Sequence, residues 1–336
     1  MQEEKTIKEP QLIESVIAAA KENPNRPRVL IRCIAYNQEP YIRATLDGFV
    51  KQETDFPFVA VVHDDASTDA TADIVREYAK KYPNIIVPVC DPVNRHTEHT
   101  LGYILDEIIA AYNPDYVAIC EGDDYWTDPK KLQKQVDYLD DHPEYVLCHG
   151  NYELVEGKKR KSSAPGEDEP YFAADHTEVY HISAFTTLYR YSAYKKIPNH
   201  RNNHHWLMGD YPLWIELSQE GKFHYFPEVF GKYRVLPNTY SHSTDGEKIK
   251  RFWNCRNEIT KFYCDLYGYE YKEKSPKSLY LEIQKQCFQN HDIKQAKRYW
   301  AEGKKLKMNT RKGFAFYFCN VYHLPWLIDL LYRLIG

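Results

Sequence analysis

A chain of 336 residues with 43% hydrophobic and 27% charged side chains has a globular composition, and enough length for one large α/β domain with an appendage or for two small domains. Its formal net charge of −4 gives no basis for a nucleic-acid partner, which would show as a basic patch. The eight cysteines (33, 90, 120, 148, 255, 264, 287 and 319) form no CxxC pair and read as reduced, buried thiols of a cytosolic protein, and the opening MQEEKTIKEPQ lacks the apolar stretch of a signal peptide.

The first 27 residues read as a polar leader with an amphipathic stretch at 11–21. Residues 28–35 (RVLIRCIA) form a β-type run, the polar loop YNQEP follows at 36–40, and helical spacing of Ile42, Leu46, Phe49 and Val50 predicts a helix over 41–52. The unit repeats: strand 58–62, loop HDDASTD at 63–69, helix 70–81 closed by Pro83. A third strand at 85–89 leads through a polar loop, 91–100, into a helix over 101–112. The apolar run YVAIC then ends in EGDDYW, with three carboxylates in four residues at Glu121, Asp123 and Asp124, and Thr127, Asp128 and Pro129 signal the next helix.

Strands alternating with helices at this spacing predict a parallel, doubly wound sheet with right-handed crossovers, whose ligands bind at the carboxyl ends of the strands. The three polar loops therefore fall on one edge. No GxGxxG and no GxxxxGK[ST] is present, so phosphates would be held by a cation on carboxylates rather than by a glycine-rich loop. Hard oxygen donors with no neighbouring His or Cys suit Mg²⁺ or Mn²⁺, and a nucleoside diphosphate is the natural ligand.

The segments VLIRCIAYNQEPYI, VVHDDASTDAT and YVAICEGDDYWTDPKKLQKQVDYL, in that order, resemble the nucleotide-sugar domain of the large inverting glycosyltransferase family of GT-A fold, often called family 2. The resemblance runs closely over 28–150 and more loosely to about residue 241. It implies that Tyr36 stacks near the base and that Asp65 accepts a hydrogen bond from the uracil ring, with Asn37 and Glu39 of the first loop also at the nucleotide. The alternative for Asp64 and Asp65 is capping of the helix that follows. The acidic turn stands where the family's DxD element lies, with Glu121 as its first acid instead of Asp. Asp123 is the first choice for the metal contact and Asp124 the second, the remaining acid facing base or ribose. Arg95 and His96 could meet the diphosphate, although Arg95 also reads as a surface charge.

Beyond residue 150, the charged stretch at 157–169 reads as a surface loop. Asp210 opens an apolar helix carrying Leu213, Trp214 and Leu217 on one face, and the resemblance places the general base at that position, with N-capping as the alternative. The family commonly has Glu-Asp there; here Gly209 precedes, so Asp210 stands alone. His204 and His205 lack a third ligand at suitable spacing and read as surface or acceptor-site residues, the loop at 199–203 could close over the sugar, and Arg234 or His242 could touch phosphate. Helices are expected over 252–267 and 279–300. A basic cluster (Lys304, Lys305, Lys307, Arg311, Lys312) then precedes the aromatic segment FAFYFCNVYHLPWLIDLLYRLIG, which reads as an interfacial anchor on an anionic membrane or as helices packing back on the catalytic domain or on a partner chain.

Together these readings give an α/β, GT-A type, doubly wound, mostly parallel sheet with a C-terminal helical extension. The expected segments are a leader (1–27), a nucleotide-sugar half (28–150), an acceptor half (151–244) and the helical extension (245–336). The expected activity is metal-dependent inverting transfer from a UDP- or dTDP-sugar to a glycan or lipid-linked acceptor in surface polysaccharide synthesis, in the cytoplasm, either free or peripheral on the cytoplasmic face of the membrane. A binding protein with a vestigial site and a sugar-phosphate nucleotidyltransferase are the alternatives.

Overall fold

The computed structural model describes residues 9–96, 100–155, 159–160, 172, 182–200, 206–236, 245–272, 275–289 and 291–328. His204, His205, the loop at 201–203, residues 237–242 and most of 157–169 lie outside them.

A helix, α1 (Glu9–Glu22), precedes the first strand, β1 (Val29–Ala35). There follow α2 (Ile42–Val50), β2 (Phe58–Asp65), α3 (Thr71–Lys81), β3 (Ile86–Asp91), α4 (Leu101–Tyr112) and β4 (Tyr116–Ile119). Strands β3, β2, β1 and β4 lie side by side in that order and all run parallel. The chain moves outward from β1 to β3, then returns through α4 to the other side of β1. With right-handed crossovers this puts α2 and α3 on one face and α4 on the other, and α2 indeed packs on α3 while α4 packs on α1. The reversal makes the gap between β1 and β4 a topological switch point, where a loop from each side diverges and a ligand crevice opens.

Alternate residues of β1 serve the two faces. Val29, Ile31, Cys33 and Ala35 join Ile42, Leu46 and Phe49 of α2 and Ala60 and Val62 of β2 in the main core. Strand β2 is buried along its whole length, as a central parallel strand must be. It also runs three residues further than the expected 58–62. His63, Asp64 and Asp65 pair with β3, and His63 and Asp64 also pair with Ile34 and Ala35 of β1, so the ladder draws two carboxylates into the sheet.

The sheet continues with β5 (Tyr125–Trp126), α5 (Lys131–Asp141), β6 (Tyr145–Leu154), β7 (Lys159–Arg160), β8 (Leu188–Arg190), α6 (Tyr191–Tyr194), α7 (Asp210–Leu217) and β9 (Lys222–Tyr233). Beyond β4 the order is β8, β6, β9, β5, with β8 antiparallel to both neighbours. α5 starts two residues later than the Thr-Asp-Pro signal implies. The Asp128 side chain accepts the Lys130 N–H at 2.9 Å, so this residue organises the turn before the helix.

A second unit comprises Trp206–Met208 and Val235 onward. It holds α8 (Gly246–Tyr267), α9 (Pro276–Gln289), α10 (Ile293–Lys305) and α11 (Arg311–Val321), around Ile249, Ile283, Cys287, Ala296 and Tyr299. The single helix expected over 279–300 is two. His291 adopts φ +54°, which breaks the helix, and Asp292 caps the next one by accepting the Gln295 N–H at 3.0 Å.

Candidate active site

The loops leaving β1 and β2 are laced together by short polar side chains. Asn37, at φ +51°, accepts the Thr68 N–H through its side-chain oxygen at 2.8 Å, and its own N–H donates to Ser67 Oγ at 2.8 Å. Gln38 N–H donates to Thr71 Oγ1 at 2.8 Å, Glu39 N–H donates to Asp69 Oδ2 at 3.1 Å, and Glu39 Oε2 accepts the Ala70 N–H at 3.2 Å. Asn37 and Glu39, expected at the nucleotide, thus hold the first loop against the start of α3. Tyr36 is left projecting, with 49% of its surface exposed.

The acids of the second loop have separate duties. Asp64 Oδ2 accepts the Ser67 N–H at 3.2 Å, its Oδ1 is buried with no hydrogen-bond partner, and burial pushes its pKa up. Asp65, only 2% exposed, accepts the Arg95 and His96 N–H groups at 2.6 and 3.1 Å and so anchors the loop after β3. The Arg95 guanidinium lies on Asp91, at 2.8 Å.

The acidic turn is fixed from two sides. Thr45 Oγ1 of α2 donates to Gly122 O at 2.9 Å and to Asp124 O at 2.6 Å, and Gly122 N–H donates to Ile34 O at 2.9 Å. Gly48 on the same helix lets α2 approach closely, because a Cβ there would come within 3.0 Å of the Trp126 backbone. From the other side, Arg234 N–H donates to Asp124 Oδ1 at 2.8 Å, and its guanidinium bonds Asp123 O while lying over the rings of Tyr41 and Tyr125 at 5.0 and 4.7 Å. Sequence reasoning weighed Arg234 as a phosphate contact and missed its place as a clamp. The signal was faint: one arginine following a strand.

Electrostatics sets this turn apart. Burial pushes up the pKa values of Asp123 and Asp124, and the Asp123 charge raises Asp124 further. Glu121 is pushed up to about 7, first by burial and then by the charges of Asp123 and Asp210, against the pull of Arg32. Crowded carboxylates of this kind favour neutralisation by protons or by a cation. Among the described residues, no three His, Cys, Asp or Glu side chains converge as a metal cage. Two oxygen donors nevertheless fit Mg²⁺ or Mn²⁺, which take one or two protein carboxylates and complete their shell with water and phosphate oxygens.

Asp210 is the first residue of α7, not its cap; Gly209 holds that position. The Asp210 side chain is exposed, and its Oδ1 accepts the Tyr211 N–H at 2.8 Å. Its charge is a minor contribution to the raised Glu121 pKa, behind burial and Asp123. Behind it, buried Glu216 accepts the Asn199 and His200 N–H groups at 3.0 and 2.9 Å, fixing the end of the described segment 182–200.

One buried cation beside the turn escaped sequence reasoning. Lys131, at the start of α5, has no exposed surface; its Nζ donates to Gln135 Oε1 at 2.6 Å and sits 4.2 Å from the centre of the Trp126 ring. A lysine and glutamine four apart, in register with Leu132, Val136 and Leu139, were the available sign of an inward pair. Burial pushes Lys131 down from 10.5 to about 7. The unfolded chain therefore binds a proton that the folded chain does not between these values, so this group's contribution to stability rises with pH across the window and is lost as pH falls to about 7. Lys131→Met removes that slope, at most about 1.4 kcal/mol per pH unit. Thermal melts of the two proteins should converge or cross as pH rises from about 7 toward 10.5, and parallel curves would show that Lys131 does not titrate there.

Residues 31–198, half of the 336-residue chain, match the family model for glycosyl transferase family 2. An uncharacterized protein of Mycobacterium tuberculosis is 35% identical over 227 residues, which cover 66% of this chain and 63% of that protein, so the chain spans less than two thirds of this relative's length. Among solved structures, S. aureus TarS 1–349 in complex with UDP-GlcNAc superposes with TM-score 0.50 at 17% identity, over 91% of each chain. The mannosyltransferase PcManGT from Pyrobaculum calidifontis, in complex with GDP-Man and Mn²⁺, gives TM-score 0.51 at 17% identity, over 97% of this chain and 96% of its own.

Proposed function

The chain belongs to glycosyl transferase family 2 and has the GT-A fold of the similar solved structures, and on that premise we propose that it transfers a sugar, with inversion, from a UDP- or dTDP-sugar to a hydroxyl of a glycan or lipid-linked acceptor. The observation that supports this reading is the acidic turn at the carboxyl end of β4, whose backbone is held by Thr45 and whose Asp124 carboxylate is held by Arg234. Asp210 stands exposed at the start of α7, and its charge is a small contribution to the raised Glu121 pKa.

In this reading, the Asp210 carboxylate takes the proton of the acceptor hydroxyl as its oxygen attacks the anomeric carbon. The bond to the nucleoside diphosphate breaks on the opposite face, and its electron pair leaves with the diphosphate. A divalent cation held by Asp123, with Asp124 beside it, would supply charge stabilisation for that leaving group. Arg234 keeps the turn in place, Tyr36 offers its exposed ring to the base, and Asp65 accepts from the imide with the lone pairs its two amide partners leave free. The two solved structures above hold UDP-GlcNAc and GDP-Man, so the fold alone does not fix the base.

The reading is tested by thermal stabilisation with UDP, dTDP, GDP and CDP, each with and without Mn²⁺. A metal-dependent shift with UDP or dTDP is expected, worth about 2.7 kcal/mol at a hundred times Kd. A shift with GDP alone would remove Asp65 from base reading. No shift with any nucleotide in folded protein would favour a binding role with a vestigial site.

A further inference from the structure

The second unit carries a surface that sugar transfer does not call on. α11 turns Gly313, Ala315, Phe316, Cys319 and Asn320 inward. Its other face carries Phe314, Phe318 and Tyr322 at four-residue spacing; the helix ends at Val321, His323 turns left-handed at φ +54°, and Trp326 follows in a short 3₁₀ turn. Phe314, Tyr322 and Trp326 are 47%, 60% and 73% exposed. The rings from Trp300 to Tyr322 form a ladder, with Trp300 to Phe314 at 5.6 Å, Phe314 to Phe318 at 5.8 Å and Phe318 to Tyr322 at 4.7 Å between centres. A contiguous aromatic stripe held in water marks an interaction surface.

Charge identifies what it meets. Residues 293–328 contain eight Lys and Arg against one acid, Glu302, in a chain whose overall charge is −4. Glu302 is itself engaged, accepting from Lys250 Nζ at 2.8 Å and from Tyr280 OH at 2.6 Å. Lys304, Lys305, Lys307 and Arg311 are exposed at the entry to the aromatic helix. Two copies of so basic a face repel each other, which argues against self-association. Aromatic rings with an amphipathic edge, bordered by lysines, match the headgroup boundary of an anionic bilayer, where the rings enter and the ammonium groups face phosphate. None of the described helices is long and apolar enough to cross a membrane, so the contact would be peripheral.

We propose that the Phe314–Phe318–Tyr322 face and the exposed Trp326 beyond it, with the basic residues before them, dock on an anionic lipid surface. The test is co-sedimentation of the full chain with vesicles of phosphatidylcholine alone and of phosphatidylcholine mixed with phosphatidylglycerol, at low and high salt. Binding is expected only to the mixed vesicles, weakened by salt, with a blue shift of tryptophan emission that disappears in Trp326→Phe. Each of Lys304→Gln, Lys305→Gln and Lys307→Gln should weaken partition about five-fold. Tyr322→Ala with Trp326→Ala should abolish it with little change in Tm, since these side chains are 60% and 73% exposed. No vesicle binding, or equal binding to neutral vesicles, overturns the proposal. So does a dimer that the same two substitutions dissociate, or an equal affinity for a soluble polyanion that survives loss of the rings.

Discussion

Replacing Asp210 by asparagine is expected to lower sugar transfer by about 10²–10⁴-fold, the usual contribution of a general base, while nucleotide binding and Tm stay unchanged. The substitution is nearly isosteric. Asparagine can still accept the Tyr211 N–H that Asp210 Oδ1 accepts at 2.8 Å, and the side chain is exposed, so no buried group loses a partner. What disappears is the capacity to take a proton. Release of nucleoside diphosphate from the donor, followed with acceptor and with water in its place, gives the rate, and thermal shift gives the affinity. Asp210→Glu should retain part of the activity, because the base survives but is displaced by a methylene. Equal loss of binding and turnover in Asp210→Asn would make Asp210 a structural residue, and an unchanged rate would place the base elsewhere.

The architecture was legible because its signals are local and repeated. Four apolar runs followed by polar loops gave β1 to β4, and the charge of EGDDYW marked the turn at the switch point. What stayed hidden depended on distant partners. The strand β2 takes in His63, Asp64 and Asp65 because β3 pairs with all three and β1 with the first two, and no propensity of an HDD triplet announces that. The lacing of Asn37 to Thr68 and of Glu39 to Ala70 joins residues about thirty apart. Lys131 reads as a surface lysine until Trp126 and Gln135 are seen around it. The division of the 279–300 helix rests on one left-handed residue, His291, with Asp292 ready as the next cap. Each miss is a tertiary contact overriding a local rule.

The two aspartates of the acidic turn should separate cleanly when mutated, since the structure uses them differently. Asp124 is 5% exposed and its Oδ1 holds the Arg234 N–H, whereas the Asp123 contact with Arg234 runs through its main-chain oxygen and survives any substitution. Asp124→Ala should therefore destabilise the metal-free protein by about 1 kcal/mol, the net worth of a hydrogen bond lost from a half-buried donor. Asp124→Asn keeps that acceptor and should restore the loss. Asp123→Asn removes one of two like charges that burial already disfavours, so in chelator its Tm should equal or exceed that of the wild type. The same variant should lose the Mn²⁺-dependent nucleotide shift, because the amide is a poor replacement for a carboxylate on a hard cation. A turn that becomes more stable when its function is removed is one held under electrostatic strain for the sake of a ligand. Full retention of the metal-dependent shift in Asp123→Asn would move the cation off that residue, and an Asp124→Ala protein as stable as the wild type would show that the tie to Arg234 is idle.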